Sequence, residues 1–276
     1  MRELSKYYKN YYKHIENFLR NKKTNGFICV GDPGIGKSFN LILKLKEKNL
    51  NFIIVKGHIT PLAFYKLLYK HKKNSYIIID DIAKYCKDKD ILSLLLGALD
   101  YDNRLVEWRS SKPLTSNLPK RFAFNSKIFI LANEFDETNK FLKALKDRCI
   151  YYELKFSKKE IIEMLYILAK ERNYPTELVD YIKELSEKEV INNLSLRILD
   201  KIYPYLKSKN WKELVYEILE KDEILNLVYK IVRKTKKVKK QVKMFMEKTG
   251  MSRRTFFRYK QKIKGWVSDT EHQIWH

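Results

Sequence analysis

Gly31-Asp32-Pro33-Gly34-Ile35-Gly36-Lys37-Ser38 is the stretch that decides how this 276-residue chain is read. It matches G-x-x-x-x-G-K-[ST], the pattern of a phosphate-cradling loop. The spacing has a physical logic. Glycines let the backbone take positive φ and approach a phosphate with no Cβ in the way. Successive N–H groups then point at the phosphate, and the following helix adds its positive N-terminal end. Lys37 can neutralise charge on the outer phosphates, and Ser38 can hold Mg²⁺. The flanks agree. Phe27-Ile28-Cys29-Val30 reads as a short buried strand, and Phe39-Asn40-Leu41-Ile42-Leu43-Lys44-Leu45 as an amphipathic helix. Gly31, Asp32, Pro33, Gly34, Ile35, Gly36, Lys37, Ser38 and Phe39 are therefore candidate nucleotide-binding residues.

Outward from the loop, apolar runs at 27–30, 52–55, 76–79, 127–132 and 150–154 alternate with helical patterns near 37–48, 60–71, 90–99 and 138–146. A Tyr- and Lys-rich helix over 5–22 precedes them. Continuous apolar strands separated by helices predict an α/β fold: a parallel five-stranded sheet with helices on both faces. The pattern then changes. Residues 157–207 carry three helical patterns, at 157–172, 175–187 and 193–207, and no strand. Ser157 with Glu160 is a capping-box signature, and Pro175 opens the second helix. A further amphipathic stretch runs from Trp211 to about Leu227. The expected domains are a nucleotide-binding core at 1–156, an all-α lid at 157–210, and a helical linker with a basic all-α domain at 211–276.

Two later strands narrow the chemistry. Tyr76-Ile77-Ile78-Ile79-Asp80-Asp81 is an apolar strand ending in two carboxylates. Asp80 can hold Mg²⁺ through water beside Ser38, and Asp81 can orient and deprotonate an attacking water. Ile128-Phe129-Ile130-Leu131-Ala132-Asn133 ends in an amide able to hydrogen-bond the γ-phosphate or that water. This series, followed by Ala144-Leu145-Lys146-Asp147-Arg148-Cys149 before a last strand, resembles the AAA+ ATPases over residues 5–207. The resemblance implies ATP and Mg²⁺ as cofactors, with Lys37, Asp81, Asn133 and Arg148 as catalytic residues. It implies that Asn133 is a γ-phosphate sensor and that Arg148 is an arginine finger reaching the ATP of a neighbouring subunit. The chain would then assemble with itself into a ring, for example a hexamer, or a filament. Ser195-Leu196-Arg197-Ile198-Leu199 matches the lid's second sensor, which adds Arg197 to the nucleotide contacts.

One position departs from that family. Most members have Asp-Glu where this chain has Asp80-Asp81, so the base is one methylene shorter. Slow hydrolysis, or hydrolysis that needs partner-induced closure, follows from that. Arg104, Arg109 and Arg121 rival Arg148 as the finger. They fall in a segment, about 105–125, that reads as a hairpin inserted before Asn133. It is either a surface hairpin or, as in some AAA+ branches, a pore-lining element that touches DNA.

The charge points to the partner. The chain holds 57 Lys+Arg against 33 Asp+Glu, a net charge of +24, which favours a polyanion. From Arg233 to Lys264 there are fourteen basic residues and one acid, Glu247, so this short tail carries +13 of that excess. Within it, Val238, Val242, Phe245 and Met246 fit one helical face; Thr249-Gly250-Met251 reads as a turn, and Ser252 caps a second helix with Phe256, Tyr259 and Ile263 inward. Helix, turn, helix is a major-groove reading layout. Arg253, Arg254, Arg258 and Gln261 face outward, with Lys239 and Lys243 placed for phosphates. Double-stranded DNA is the expected partner, with a helicase or other DNA-processing protein as a second.

No run of about 18 apolar residues exists, and residues 1–8 lack an apolar signal core, so no membrane role is expected. Cys29, Cys86 and Cys149 are odd in number and far apart, as reduced thiols of a cytoplasmic, DNA-associated protein would be. The leading expectation is a DNA-binding ATPase serving replication initiation, helicase loading or mobile-element or viral DNA processing. The alternative is a sequence-specific transcriptional regulator that ATP switches with weak hydrolysis. A small-molecule kinase fits Asn133, Arg148, Arg197 and the basic tail less well.

Overall fold

The computed structural model describes residues 3–81, 88–109, 118–188, 191, 194–219 and 223–263. Cys86, Lys264 and the 110–117 tip of the expected hairpin lie outside the described residues. The chain divides into two compact units, Ser5–Lys155, and Phe156–His276 with Met1–Leu4.

The first unit is built as α1 Lys9–Arg20, β1 Gly26–Val30, α2 Lys37–Glu47, β2 Phe52–Val55, α3 Pro61–Lys70, β3 Tyr76–Asp80, α4 Lys89–Ala98, β4 Leu105–Glu107, β5 Arg121–Ala123, β6 Lys127–Ala132, α5 Lys140–Asp147 and β7 Cys149–Glu153. Five strands form one parallel sheet in the order β2-β3-β6-β1-β7. β4 and β5 pair antiparallel, Leu105 opposite Ala123, as the two sides of the expected hairpin.

Strand residues alternate between faces, and here both faces are apolar. Ile28 and Val30 of β1, Ile77 and Ile79 of β3, and Ile128, Ile130 and Ala132 of β6 share one core with α3, α4 and α5. The opposite face is aromatic. Phe18 of α1 lies edge-on to Phe129 of β6 at 5.0 Å and 5.4 Å from Phe27 of β1. Tyr11 of α1 stacks on Tyr152 of β7 at 5.5 Å. Helices thus cover both faces of the sheet.

The second unit is helical: α6 Lys158–Glu171, α7 Glu177–Lys188, α8 Ile198–Ile202, α9 Trp211–Ile218, α10 Glu223–Lys234, α11 Val238–Thr249 and α12 Arg253–Lys262. Ser157 and Glu160 form the expected capping box on α6. The third helix of this stretch is shorter than the pattern at 193–207 suggested. It ends at Ile202 and passes into a 3-10 turn, Tyr203–Lys207, because Pro204 cannot donate to an α-helical ladder. The amphipathic stretch from Trp211 is two helices, since the backbone leaves helical geometry at Leu219 with ψ 114°. α10, α11 and α12 close a small core of Leu225, Val228, Tyr229, Ile231, Val232, Phe245, Phe256 and Ile263.

The buried face of α11 is rotated from the expected one. Gln241 is fully buried beside Phe245, whereas Val238 and Met246 are exposed. Lys260 of α12 is buried too, and its Nζ donates to Gln241 Oε1 at 3.1 Å. α12 therefore meets α11 along Gln241 and Phe245, and one of the tail's cations is spent on an internal contact.

Phe129 is fully buried between Phe18 and Phe27. Phe129→Ala is expected to cost about 3–5 kcal/mol of stability in urea denaturation. A loss under about 1 kcal/mol would show that this aromatic face is not a packed core.

Candidate functional site

The loop leaves the carboxyl end of β1, in the middle of the sheet, and its start is tied to β6: Gly31 N–H donates to Ala132 O at 3.2 Å. Gly31 is required by space, because a Cβ there would lie 2.3 Å from Leu154 O. Gly36 is required by conformation. It caps α2 with φ 85°, and a Cβ would lie 2.6 Å from Tyr8 Oη and 2.8 Å from Asn40 Nδ2. Gly34 also takes positive φ, at 76°. The loop can thus wrap closely around a phosphate at the N-terminus of α2.

Lys37 is buried, yet its ammonium is not left to apolar surroundings. It donates to Gly31 O at 2.5 Å, Asp32 O at 2.8 Å and Asn133 Oδ1 at 3.0 Å. These oxygens hold the ammonium beside the N-terminus of α2, where a phosphate would meet it. Asn133 stands just beyond β6, which neighbours β1, so the sheet order itself delivers the amide to the lysine.

Strand parity delivers the carboxylate. Asp80 follows Ile78 on the face that carries α1, and its Oδ1 accepts from Ser38 Oγ at 3.0 Å. Its Oδ2 lies 3.5 Å from Lys56 Nζ, just past β2. Sequence reasoning missed Lys56; β2 pairs with β3, and Lys56 extends the same-face parity as Asp80. Ser38 and Asp80 form the hydroxyl–carboxylate pair that suits a hydrated Mg²⁺. Asp81 follows with φ 75°, a conformation Asp tolerates better than most residues, and its N–H donates to Leu131 O at 3.0 Å. Asp32, Pro33 and Phe39 are exposed, and Ile35 is buried beneath the loop.

Arg148 stands elsewhere. Cys149 is opposite Gly26 at the amino end of β1, so Arg148 lies at the far end of the sheet from the loop of its own chain. Five strand residues separate those ends, about 16 Å. An arginine side chain cannot span that and still reach a phosphate. Its Nη1 donates to Ala144 O at 3.1 Å and its Nε lies 3.7 Å from Asp100 Oδ2. The Asp100 carboxyl is held below the usual range first by the Asn103 N–H, with the Asp102 N–H and Arg148 adding to it. Of the rivals, Arg104 donates to Asp100 O and Lys23 O, Arg109 pairs with Glu107, and Arg121 is exposed on β5.

A second contribution missed in the sequence comes from α1. Tyr8 Oη donates to Ile35 O at 2.8 Å, Tyr11 Oη to Lys37 O at 3.3 Å, and the Tyr12 hydroxyl to Asn40 Oδ1. The signal was the spacing of the tyrosines on one helical face. Burial pushes the Cys29 thiol under the loop up to about 12, so it carries no thiolate chemistry near neutral pH.

In the second unit, Arg197 is the exposed residue immediately before α8. α11 ends at Gly250 with φ 68°, and Ser252 caps α12 through Thr255 N–H at 3.3 Å. Arg253, Arg254, Arg258 and Gln261 are exposed on α12, as are Lys239 and Lys243 on α11. Phe257, not singled out in the sequence, is 39% exposed among these arginines, with the Arg253 guanidinium 5.6 Å from its ring. Positions 253, 254, 257, 258 and 261 form one stripe at helical spacing.

No protein-family model matches the chain. An uncharacterised 36.7 kDa protein from the nrdC–mobD intergenic region of enterobacteria phage T4 is 28% identical over 156 residues, covering 51% of this chain and 48% of that protein. The match thus spans about half the length of this curated relative. Among solved structures, a point mutant of RuvB from Thermotoga maritima matches with a TM-score of 0.55 at 15% identity, covering 83% of this chain and 75% of that one. The structure titled Thermotoga maritima RuvB Holliday junction branch migration motor matches with a TM-score of 0.53 at 15% identity, covering 92% and 87%. The chain therefore shares the fold of these RuvB structures, and the α/β fold with a five-stranded parallel sheet is as expected from the sequence. Among the described residues no helix is long and apolar enough to cross a membrane.

Gly36 and Gly57 both take positive φ, 85° and 78°, but a Cβ at Gly57 would meet nothing within 4 Å. Gly57→Ala is expected to cost about 1–2 kcal/mol from backbone strain alone. Gly36→Ala should cost more in the same urea titration, because its methyl also displaces Tyr8 and Asn40. Equal costs would contradict the packing described around Gly36.

Proposed function

We propose that this chain is a DNA-binding AAA+ ATPase that couples ATP binding and hydrolysis to assembly on, or remodelling of, double-stranded DNA. The observation that carries the proposal is the convergence of Lys37, Asn133, Ser38 and Asp80 at the carboxyl ends of three adjacent parallel strands. Lys37 would bind the outer phosphates, and Ser38 with Asp80 would hold Mg²⁺, Asp80 through water. Asn133, already on the Lys37 ammonium, would sense the γ-phosphate. Asp81 would take the proton from the attacking water. Bound Mg²⁺ would supply charge neutralisation between the phosphates.

The distance of Arg148 from its own loop supports a shared site. ATP would lie between Lys37 of one subunit and Arg148 of the next, in a ring such as a hexamer or in a filament. Opening of the Asp100 contact would free the guanidinium for the neighbour's phosphates. Arg197 would add a lid contact to the same nucleotide.

The DNA partner rests on the basic tail. Arg253, Arg254, Arg258 and Gln261 would meet the major groove, and Lys239 and Lys243 the phosphates. The process served would be replication initiation, helicase loading or viral or mobile-element DNA processing; the branch-migration motor among the fold's neighbours supports work on DNA, and the phage relative a viral setting. A helicase or another DNA-processing protein would be the second partner. Asp81 favours a second reading: its short side chain suits slow turnover, and ATP would then switch a sequence-specific transcriptional regulator. Strand displacement driven by turnover separates the motor from repression without turnover.

Four outcomes test the proposal. Duplex DNA should raise the ATPase rate, and Asp81→Asn should abolish turnover while retaining ATP binding; equal rates in wild type and Asp81→Asn would remove Asp81 as the base. Duplex affinity should fall steeply with salt, and Lys239→Ala or Lys243→Ala should each lower the log–log slope by about 1. A salt-independent affinity would refute phosphate contact by the tail.

A further inference from the structure

We infer that Tyr8, Asn40 and Tyr11 are positioning residues that aim three successive N–H groups of the loop into its concavity. This rests on the reading of residues 31–38 as a nucleotide-phosphate site. A trans peptide carries its C=O and N–H on opposite sides, so holding a carbonyl from outside fixes the next residue's N–H toward the inside. Tyr8 Oη holds Ile35 O at 2.8 Å, which orients the Gly36 N–H. Asn40 Nδ2 holds Gly36 O at 2.8 Å, which orients the Lys37 N–H. Tyr11 Oη holds Lys37 O at 3.3 Å, which orients the Ser38 N–H. Three such N–H groups in a row make an anion-binding nest.

Tyr8 carries most of this. The Gly36 carbonyl already accepts the Asn40 N–H at 3.0 Å as the first bond of the α2 ladder. Ile35 O lies one residue earlier, outside that ladder, so helix geometry does not hold it. Tyr8 is 2% exposed, and burial raises the phenol's pKa, which keeps it a protonated donor. The Tyr12 hydroxyl on Asn40 Oδ1 fixes which way the Asn40 amide faces.

The support extends along both helices. Tyr8, Tyr12 and Glu16 recur every four residues, as do Gly36, Asn40 and Lys44. Lys44 Nζ lies 4.5 Å from the Tyr12 ring centre and 4.0 Å from Glu16 Oε1. α1 is thus registered against α2, and the phenols reach the loop as the first turn of that contact. No hydroxyl of α1 need touch the nucleotide for this effect.

Calorimetric ADP titration of the full chain, with thermal melting of the nucleotide-free protein, tests this. Tyr65→Phe is the control, because the fully buried Tyr65 also donates its hydroxyl to a backbone carbonyl, Pro119 O at 2.6 Å, away from the loop. Both Tyr8→Phe and Tyr65→Phe should lower the melting temperature. Only Tyr8→Phe should weaken ADP binding, by about tenfold. Wild-type affinity in Tyr8→Phe, or equal weakening in Tyr65→Phe, overturns the positioning role alone. A wild-type chain that binds no ADP overturns this role and the nucleotide reading together.

Discussion

The Lys37 ammonium is the interaction on which the loop end of this fold depends. It ties the two residues after β1, through Gly31 O and Asp32 O, to Asn133 at the end of β6. A buried cation without hydrogen bonds would lose several kcal/mol or its proton. Here the loop's own carbonyls and one amide accept its protons. The loop shape and the strand order are therefore one constraint: moving β6 or flattening the loop removes oxygens that the ammonium donates to.

Strand alternation explains the rest of the cluster. Because both faces of the sheet are apolar, the parity of each strand is fixed by packing on Phe27 and Phe129 or on Ile28 and Ile130. Asp80 inherits its direction from that parity and meets Ser38, and Lys56 meets Asp80 by extending the parity of the neighbouring strand. The same register sends Arg148 to the opposite end. Core packing thus separates Lys37 from Arg148 within one chain, which is why the proposed site would take its lysine from one copy and its arginine from another.

The core was legible because continuous apolar strands and a glycine-bracketed loop are local signals. Gly36, Lys37, Ser38, Asp80 and Asn133 could be read in line, since each terminates a strand or begins a helix. What was not legible depends on pairing between distant segments. Lys56 is an ordinary surface lysine until β2 lies beside β3. Tyr8 and Tyr11 read as helix packing until α1 lies along α2. In the tail, Met246 is exposed where it was expected to face inward, and Gln241 is buried, because α12 covers that face of α11 and hydrophobic spacing alone could not choose it. Pro204, inside the helical pattern at 193–207, ends that α-helix at Ile202.

Mixing two inactive variants tests the shared site most directly. Lys37→Ala removes the lysine proposed to bind phosphate but leaves an intact Arg148 to offer; Arg148→Ala does the reverse. A site shared between subunits predicts that neither variant alone hydrolyses ATP and that an equimolar mixture recovers a measurable fraction of the wild-type rate. A mixture as silent as its components, or an Arg148→Ala protein with the wild-type rate, would contradict it.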